Sequence, residues 1–286
     1  MQRVWERVVV DIPGPVFEPT PPRVVGGTCP DVECDGWSTA QVTLRSASVR
    51  GERHRYYGQP RQDATCAVAH EATGTVVFAV ADGLSSAAAS AVGAAEACRA
   101  AVWAIHAQLD GGHPGNDFPA VVSFAADMLH RQAAALSHQQ DPDQLVATTL
   151  VAGTARPSSE GLEVSLFRVG DSSAWVLDPA RPRFHPVFNG KTDGDVVATS
   201  VTALPTVPRT LEQWFGKLTP GQVLLVGTDG FGDPLGDGDG QVGALFAENL
   251  VAPPSPLWLG HLLDFSRETF DDDRTLLALW PRSEAR

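Results

Sequence analysis

The sequence predicts an α+β fold, and two observations carry this prediction. Short apolar segments of strand length, between residues 38 and 178, cluster around two adjacent stretches with the periodicity of helices. Further helical patterns lie near the C-terminus, before a last apolar strand. Strands and helices grouped in this way favour sheets with helices layered against them.

The first half of the chain contains the clearest elements. Alternating residues between 38 and 50 predict a strand, and residues 63–83 predict a hairpin that turns at Glu71–Gly74. An Ala-rich helix follows, because apolar residues recur at spacings of three and four from Ala95 to Leu109. The apolar face of a second helix runs from Phe118 to Leu136.

The second half returns to strands, interrupted by one irregular stretch. Residues 179–208 are rich in Pro, Gly and Asp, and long loops inside a compact domain are often functional. The other predicted elements are strands at 147–155, 162–171, 173–178, 222–230 and 274–280, and helices at 211–218, 241–250 and 256–268.

Composition divides the chain into two parts and restricts its class. Residues 1–36 are rich in Pro and Gly and predict a weakly ordered N-terminal arm, and residues 37–286 predict one domain. The formal net charge of -13 argues against nonspecific binding to nucleic acid or to an anionic membrane. No apolar segment has the length of a membrane span, and four cysteines in the chain are few, so we expect a reduced, cytoplasmic protein.

Acidic residues recur at the ends of apolar strands. Asp82 and Asp229 each end a strand and precede glycine, Asp171 ends another, and Asp63 and the triplet 271–273 each precede one. A single Asp in such a place is ordinarily a turn or cap residue, but five such places in one chain favour a shared site. Converging carboxylates repel unless cations neutralise them, and ligation by oxygen alone suits Mg²⁺ or Mn²⁺.

Six segments, taken in order, resemble the motifs of the metal-dependent protein serine/threonine phosphatases of the type 2C family. The resemblance covers residues 51–280, and each motif is weak by itself while the order of all six is specific. The segments are PRQDATCAV, VADGLSSAAAS, ATTLVAG, FRVGDSSAWVL, LLVGTDGFGD and DDDRTLLAL.

The resemblance implies a four-layer α-β-β-α sandwich with two central antiparallel sheets. It also implies two Mn²⁺ or Mg²⁺ ions, with Asp82 shared by both and Asp229 and Asp272 on the first. Asp63 and the Gly83 carbonyl would serve the second ion. Catalysis would depend on Asp82 and Asp229 through bound metal and water. Asp233 would lie just outside the ligands or help a third ion, Asp143 is the nearest acid for another third-ion position, and Gly230 would let the chain turn.

The same resemblance implies hydrolysis of phosphoserine and phosphothreonine in a phosphorylated protein that a separate kinase would modify. The chain departs from the family at several points: the family's phosphate-binding Arg is replaced by Gly58, the DGxGG motif becomes DGLSS, the glycine of the Gly-Thr-Thr strand is Ala147, and the Arg of the VGDSR strand is Ser173. Arg61, Arg53 or Arg55 could substitute for that Arg, and we favour Arg61. Two alternatives stay open, a catalytically weak binding or regulatory module on the same fold and a hydrolase of small phosphate esters.

Overall fold

The structure is a computed structural model that describes residues 6–15, 20, 30–188 and 202–282. Its strands are β1 Val32–Ser38, β2 Val42–Val49, β3 Asp63–His70, β4 Thr75–Asp82, β5 Leu150–Ser158, β6 Gly161–Val169, β7 Ser173–Asp178, β8 Arg183–Pro186, β9 Glu212–Leu218, β10 Val223–Gly227 and β11 Arg274–Pro281. Its helices are α1 Glu52–Tyr57, α2 Ser90–Asp110, α3 Phe118–Leu136, α4 Pro142–Leu145, α5 Asp229–Leu235, α6 Gln241–Asn249 and α7 Pro256–Leu263.

The strands form two antiparallel sheets. One has six strands in the order β1-β2-β11-β10-β7-β8, and the other has five in the order β3-β4-β5-β6-β9. Strand β11 lies between β2 and β10 and pairs with both, so it joins the first two strands to the rest of the six-stranded sheet. The predicted hairpin is confirmed, because β3 pairs with β4 from Asp63↔Asp82 to His70↔Thr75.

The position of strand β4 explains why its sequence is almost continuously apolar. Alternate residues Val77, Ala79 and Ala81 face a core shared with α2 and α3. The residues between them, Val76, Phe78 and Val80, face a second core between the two sheets. Since successive side chains of a strand point to opposite faces, a strand buried on both faces needs apolar residues at every position.

A third core completes the layers. Strands β10 and β11 place alternate residues against α5, α6 and α7, and their remaining residues enter the core between the sheets. The order of layers is therefore α2 and α3, five-stranded sheet, six-stranded sheet, and α5–α7. This is the predicted α+β four-layer sandwich with two central antiparallel sheets, and the prediction of fold class is confirmed.

The helix predicted over residues 211–218 is wrong. These residues form β9, which pairs with β6 along its whole length from Glu212↔Arg168 to Leu218↔Leu162. The ladder of β6 offers this segment backbone hydrogen bonds that its local pattern does not predict. The Trp214 ring also covers Gly216, two residues on and therefore on the same face.

The last helix is shorter than predicted. It ends at Leu263 rather than near residue 268, because the following backbone bonds to the N-terminal segment instead. Ser266 accepts a hydrogen bond from the Val10 amide and donates to the Val8 carbonyl, and the Glu268 amide donates to the Ile12 carbonyl. Part of the predicted arm thus packs on the body of the protein, with Val10 only 4% exposed.

Two further predictions meet the described structure in part. The boundary predicted after residue 36 lies inside β1, which pairs with β2 from Val32↔Val49 to Ser38↔Thr43. Strand β8 lies within the irregular stretch predicted at 179–208, of which residues 189–201 lie outside the described residues.

Within the described part of the chain, no helix combines the length and apolar character required to cross a bilayer.

Candidate metal centre

Asp82 lies at the end of β4 and is held from the neighbouring strand. The Thr149 hydroxyl accepts a hydrogen bond from the Asp82 amide at 3.0 Å. The Asp82 carbonyl accepts from the Thr149 amide at 2.7 Å and from the Thr148 hydroxyl at 2.8 Å. Both threonines are buried, and they belong to the predicted ATTLVAG motif, so this motif fixes the backbone that carries Asp82.

Gly83 lies where no side chain fits. A Cβ at this position would lie 2.5 Å from the Ser90 carbonyl oxygen, at the start of α2. The Gly83 amide donates to the Gln62 carbonyl at 3.2 Å, next to Asp63. The glycine therefore allows the backbone to pass closely between α2 and β3, directly beside the Asp82 carboxylate.

The loop after Gly83 departs from the family's motif and forms its own small core. Leu84 packs with Ala87, Ala147 and Ala203, and its amide donates to the Ala147 carbonyl at 2.9 Å. Ala147 stands at the position of the glycine in the family's Gly-Thr-Thr strand. Leu84 in the departing loop and Ala147, a second departure from the family's pattern, therefore contact each other.

Asp229 is the first residue of α5, and Gly230 has a different role from the one predicted. A Cβ on Gly230 would lie 1.8 Å from the Asp273 carbonyl oxygen. The expectation that Gly230 only lets the chain turn is therefore wrong. The glycine is required because the start of α5 approaches the start of β11, and this close approach brings Asp229 towards Asp272.

Asp273 connects the segments that carry the other acids. Its side chain, in a residue only 3% exposed, accepts hydrogen bonds from the Gly51 amide at 2.7 Å and the Gln62 amide at 2.5 Å. His54 Nδ1 lies 2.8 Å from Asp273 Oδ1. Burial lowers the pKa of His54, but the hydrogen bond and charge of Asp273 outweigh it and the net pKa is raised.

A cleft brings most of the predicted acids together. Its lining consists of Gln62, Asp82, Gly83, Leu84, Ser85, Thr149, Asp171, Asp229 and Asp272. Asp63 does not line the cleft. It is paired with Asp82 across β3 and β4 and is 4% exposed, and the Thr228 hydroxyl donates to its Oδ2 at 2.8 Å.

The carboxylates in this cluster oppose one another. Burial raises the pKa of Asp82 well above its ordinary value, and repulsion from Asp63 and Asp229 adds to the effect. Burial also raises the pKa of Asp229 to about 6, with further repulsion from Asp171 and Asp272. The pKa of Asp63 is raised by burial and by its acidic neighbours, and that of Asp272 is raised first by burial.

This arrangement fits divalent cations. The cleft offers carboxylate oxygens, and the backbone of Gly83 lies beside them. Oxygen atoms are the donors that Mg²⁺ and Mn²⁺ prefer. Without a cation, these carboxylates favour their protonated forms, first because burial penalises the negative charge and then because neighbouring carboxylates repel it, so their pKa values are raised. Cations would replace those protons at neutral pH.

Asp233 and Asp143 lie in different surroundings. Asp233 is exposed one turn after Asp229 on α5, and its negative charge contributes to the raised pKa of Asp229. Asp143 is exposed on α4, where its carboxylate accepts a hydrogen bond from the Thr206 hydroxyl at 3.1 Å. The structure thus brings Asp233 near the cluster and does not place Asp143 in the cleft.

Arg61, the predicted phosphate-binding residue, does not line the cleft. Its guanidinium donates to the Pro30 carbonyl at 2.9 Å and the Asp63 carbonyl at 3.3 Å, and it pairs with Glu33. The residue is only 5% exposed. These contacts hold β1 against the start of β3, so the structure does not support the predicted role for Arg61.

Of the other two arginines considered, one is also buried and held in ion pairs. Arg55 is 8% exposed and pairs with Asp31 and Asp264. Arg53, in contrast, is exposed on α1, and its positive charge lowers the pKa of Asp272 against the dominant effect of burial. Arg53 is therefore the arginine of the three whose charge acts on the cluster from the solvent side.

Sequence reasoning underrated two acids of the site. Asp171 ends a strand but was not among the implied metal ligands, yet it lines the cleft and its charge raises the pKa of Asp229. Asp273 was noted only as one of three consecutive acids, although it connects Gly51 and Gln62. The one available signal for Asp273 was its place in the acidic triplet that precedes the last apolar strand.

A sequence profile of the protein phosphatase 2C family matches residues 50–254. The chain belongs to this family. The matched residues carry Asp63, Asp82 and Asp229, and the profile match ends before Asp272. A search of curated proteins found no match.

Solved phosphatase structures share the fold of this family member at low sequence identity. RsbX in complex with magnesium is 12% identical, with a TM-score of 0.55, over 87% of this chain and 100% of that one. The catalytic domain of the serine/threonine phosphatase PstP with two manganese ions is 18% identical, with a TM-score of 0.55, over 85% and 99%. MsPP from Mycobacterium smegmatis with cacodylate is 16% identical, with a TM-score of 0.54, over 82% and 97%.

Proposed function

We propose that this protein phosphatase 2C family member hydrolyses phosphoserine and phosphothreonine in proteins, using divalent cations held in the cleft. The observation that carries the proposal is the convergence of Asp82, Asp229 and Asp272 on one cleft, where burial and mutual repulsion raise their pKa values. The solved structures of RsbX with magnesium and PstP with two manganese ions support Mg²⁺ or Mn²⁺ as the cations.

The acidic residues of the cleft would serve as the cation ligands. Asp82, Asp229 and Asp272 would hold two cations, with Asp63 and the Gly83 carbonyl completing the set. Bound there, the cations would supply an activated water and neutralise charge on the phosphoryl oxygens.

The chain's own contribution is rigid positioning. Asp82 is fixed through its backbone by two buried threonines, and Asp229 is fixed by the contact of Gly230 with β11. Because these acids lie at strand and helix ends, the protein does not have to reorganise when substrate binds. No protein side chain needs to act as a covalent nucleophile in this scheme.

Removal of metal tests the proposed function. We expect the purified protein to dephosphorylate a phosphothreonine peptide with Mn²⁺ or Mg²⁺, to lose activity in EDTA, and to recover it when Mn²⁺ is restored. Release of inorganic phosphate measures the rate, and p-nitrophenyl phosphate serves as a small-ester comparison. A far higher kcat/KM for the small ester than for the peptide would favour a small-molecule hydrolase.

The absence of any metal-dependent turnover on either substrate would contradict the proposal. In that case the binding or regulatory module would be the better interpretation. Its most direct cause would be the DGLSS loop, where Leu84 and Ser85 line the cleft beside Asp82.

We further propose that Arg53 binds the substrate phosphate in place of the family's Arg at position 58. It is the exposed arginine of the three considered, and its charge already acts on Asp272. A guanidinium pairs well with phosphate oxygens, and its long side chain lets it reach from α1.

Replacement of Arg53 by Ala should raise KM for a phosphopeptide roughly tenfold and leave kcat within about threefold, because one exposed charge-assisted contact contributes about 1.5 kcal/mol. Initial rates over a range of peptide concentrations separate the two parameters. Arg131→Ala, an exposed arginine on α3, is the matched control and should change neither. Equal KM values for the two variants would exclude Arg53 from phosphate binding.

The partner and location belong to the same proposal. The substrate would be a phosphoprotein modified by a separate kinase. Cys34, Cys66 and Cys98 are free thiols, which supports a reducing compartment such as the cytoplasm.

A further inference from the structure

A second cluster of metal-binding residue types lies at the far end of the β3–β4 hairpin. His70 ends β3, and His106 and Asp110 lie one turn apart at the end of α2. Asp63 and His70 occupy opposite ends of one strand, so this cluster is about 23 Å from the carboxylate centre. It is therefore separate from the site described above.

The spacing of these side chains suits one metal ion. His70 Nε2 lies 3.2 Å from Asp110 Oδ1, and His106 Nδ1 lies 3.1 Å from Asp110 Oδ2. The three ligand atoms lie within 4.8 Å of one another. Neighbouring ligands of a tetrahedral Zn²⁺ are about 3.3 Å apart, because each bond to the ion is about 2.0–2.1 Å long.

The Thr73 hydroxyl determines which nitrogen of His70 is available. It donates to the Thr75 hydroxyl at 2.8 Å, so it accepts from His70 Nδ1, also at 2.8 Å. A neutral His70 then directs its Nε2 lone pair at the Asp110 carboxylate. Two acceptors that face each other need a proton or a cation between them. A metal-binding histidine commonly has such an oxygen partner on its other nitrogen.

We propose that His70, His106 and Asp110 bind one Zn²⁺ ion or a similar transition-metal ion. Two imidazoles with one carboxylate favour such ions over Mg²⁺ and Ca²⁺, which prefer oxygen donors alone. A water would take the fourth position, since the His106 and Asp110 side chains are 37% and 63% exposed. The ion would join the turn of the hairpin to the end of α2.

Calorimetric titration of the full chain with Zn²⁺, in a large excess of Mg²⁺ to saturate the carboxylate centre, tests this proposal. We expect one equivalent of Zn²⁺ to bind to the wild type. His106→Ala should weaken that binding at least about 100-fold, because it removes a direct ligand. His130→Ala, which removes an exposed histidine from α3, is the matched control and should bind as the wild type does.

His106 is chosen because it is partly exposed, whereas His70 is only 4% exposed and its loss endangers folding. Asp110→Asn is the second variant, and Zn²⁺ should raise the melting temperature of the wild type and His130→Ala but not of the two ligand variants. Failure of the wild type to bind Zn²⁺ would overturn the proposal and leave a hydrogen bond between His70 and Asp110. Equal Zn²⁺ affinity in His106→Ala and the wild type would overturn it as well. Because the readout is binding, loss of phosphatase activity would not bear on it.

Discussion

Replacement of Asp229 by Asn is expected to remove at least about 99% of the Mn²⁺-dependent phosphatase activity and, at the same time, to stabilise the metal-free protein at neutral pH. The loss of activity follows from the loss of a proposed ligand, since even residues that only support a metal ligand commonly contribute 10–100-fold. The gain in stability follows from the electrostatics of the cleft. Burial, with repulsion from Asp171 and Asp272, raises the pKa of Asp229 to about 6.

The direction of the pH dependence follows from this raised pKa. The folded protein holds a proton on Asp229 more tightly than the unfolded chain does, where the carboxyl has its ordinary pKa of 3.8. The resulting stabilisation is fully present below pH 3.8 and is lost as the pH rises through about 6. Asparagine does not ionise, so the variant escapes this loss. We expect it to be more stable than the wild type by roughly 2 kcal/mol at pH 7.5 in EDTA.

Urea unfolding in EDTA between pH 4.5 and pH 8 measures this effect, and the same series with Mn²⁺ should reverse the order of the two proteins. Asp127→Asn, which replaces an exposed carboxylate on α3, is the control and should follow the wild type. A variant that keeps its activity within tenfold would exclude Asp229 as a ligand. An unchanged pH dependence in EDTA would contradict the crowding of carboxylates in the cleft.

Replacement of Gly230 by Ala is expected to destabilise the fold by about 3 kcal/mol or more. The added Cβ would lie 1.8 Å from the Asp273 carbonyl oxygen. That carbonyl cannot easily move, because the Asp273 side chain is bonded to the Gly51 and Gln62 amides. Overpacking against fixed groups typically costs 1–3 kcal/mol, and a backbone oxygen at this distance lies at the upper end.

The same substitution should weaken Mn²⁺ binding, because the clash pushes Asp229 away from Asp272. Urea unfolding and Mn²⁺ titration of the same variant measure the two effects. Gly240→Ala is the matched control, since its Cβ would meet nothing within 4 Å and its φ is -85°. It should change stability by less than about 1 kcal/mol. Similar stability of the two variants would show that the close approach of α5 to β11 is not required.

The elements predicted correctly are those whose signal is local. The β3–β4 hairpin combines a buried apolar run with a turn at Glu71–Gly74, and α2 and α3 carry clear helical periodicity. The strands that were predicted wrongly or missed lie at sheet edges. Strands β1 and β9 have weak patterns of their own and form because a neighbouring strand presents an unpaired ladder. Such pairing depends on residues far away in the sequence.

In the candidate site, too, the features with a local signal were predicted and those that depend on distant residues were not. Asp63, Asp82, Asp229 and Asp272 were predicted from their places at strand ends, in an order that resembles the type 2C family. Their assignment as metal ligands stays a prediction. The choice of Arg61 failed because its surroundings are set by β1, an element that the sequence pattern did not predict.

The sequence by itself predicted α+β layers, the strand ends that carry acids, and the family, and the two-sheet sandwich followed from the resemblance to that family. These properties follow from periodicity and from the order of short motifs, both of which are written along the chain. Tertiary structure alone decided which acids meet, that Gly230 is required by packing, and that Arg61 is buried outside the cleft while Arg53 is exposed. Each of these depends on a contact between segments distant in sequence, as when the start of α5 meets the start of β11 and brings Asp229 towards Asp272.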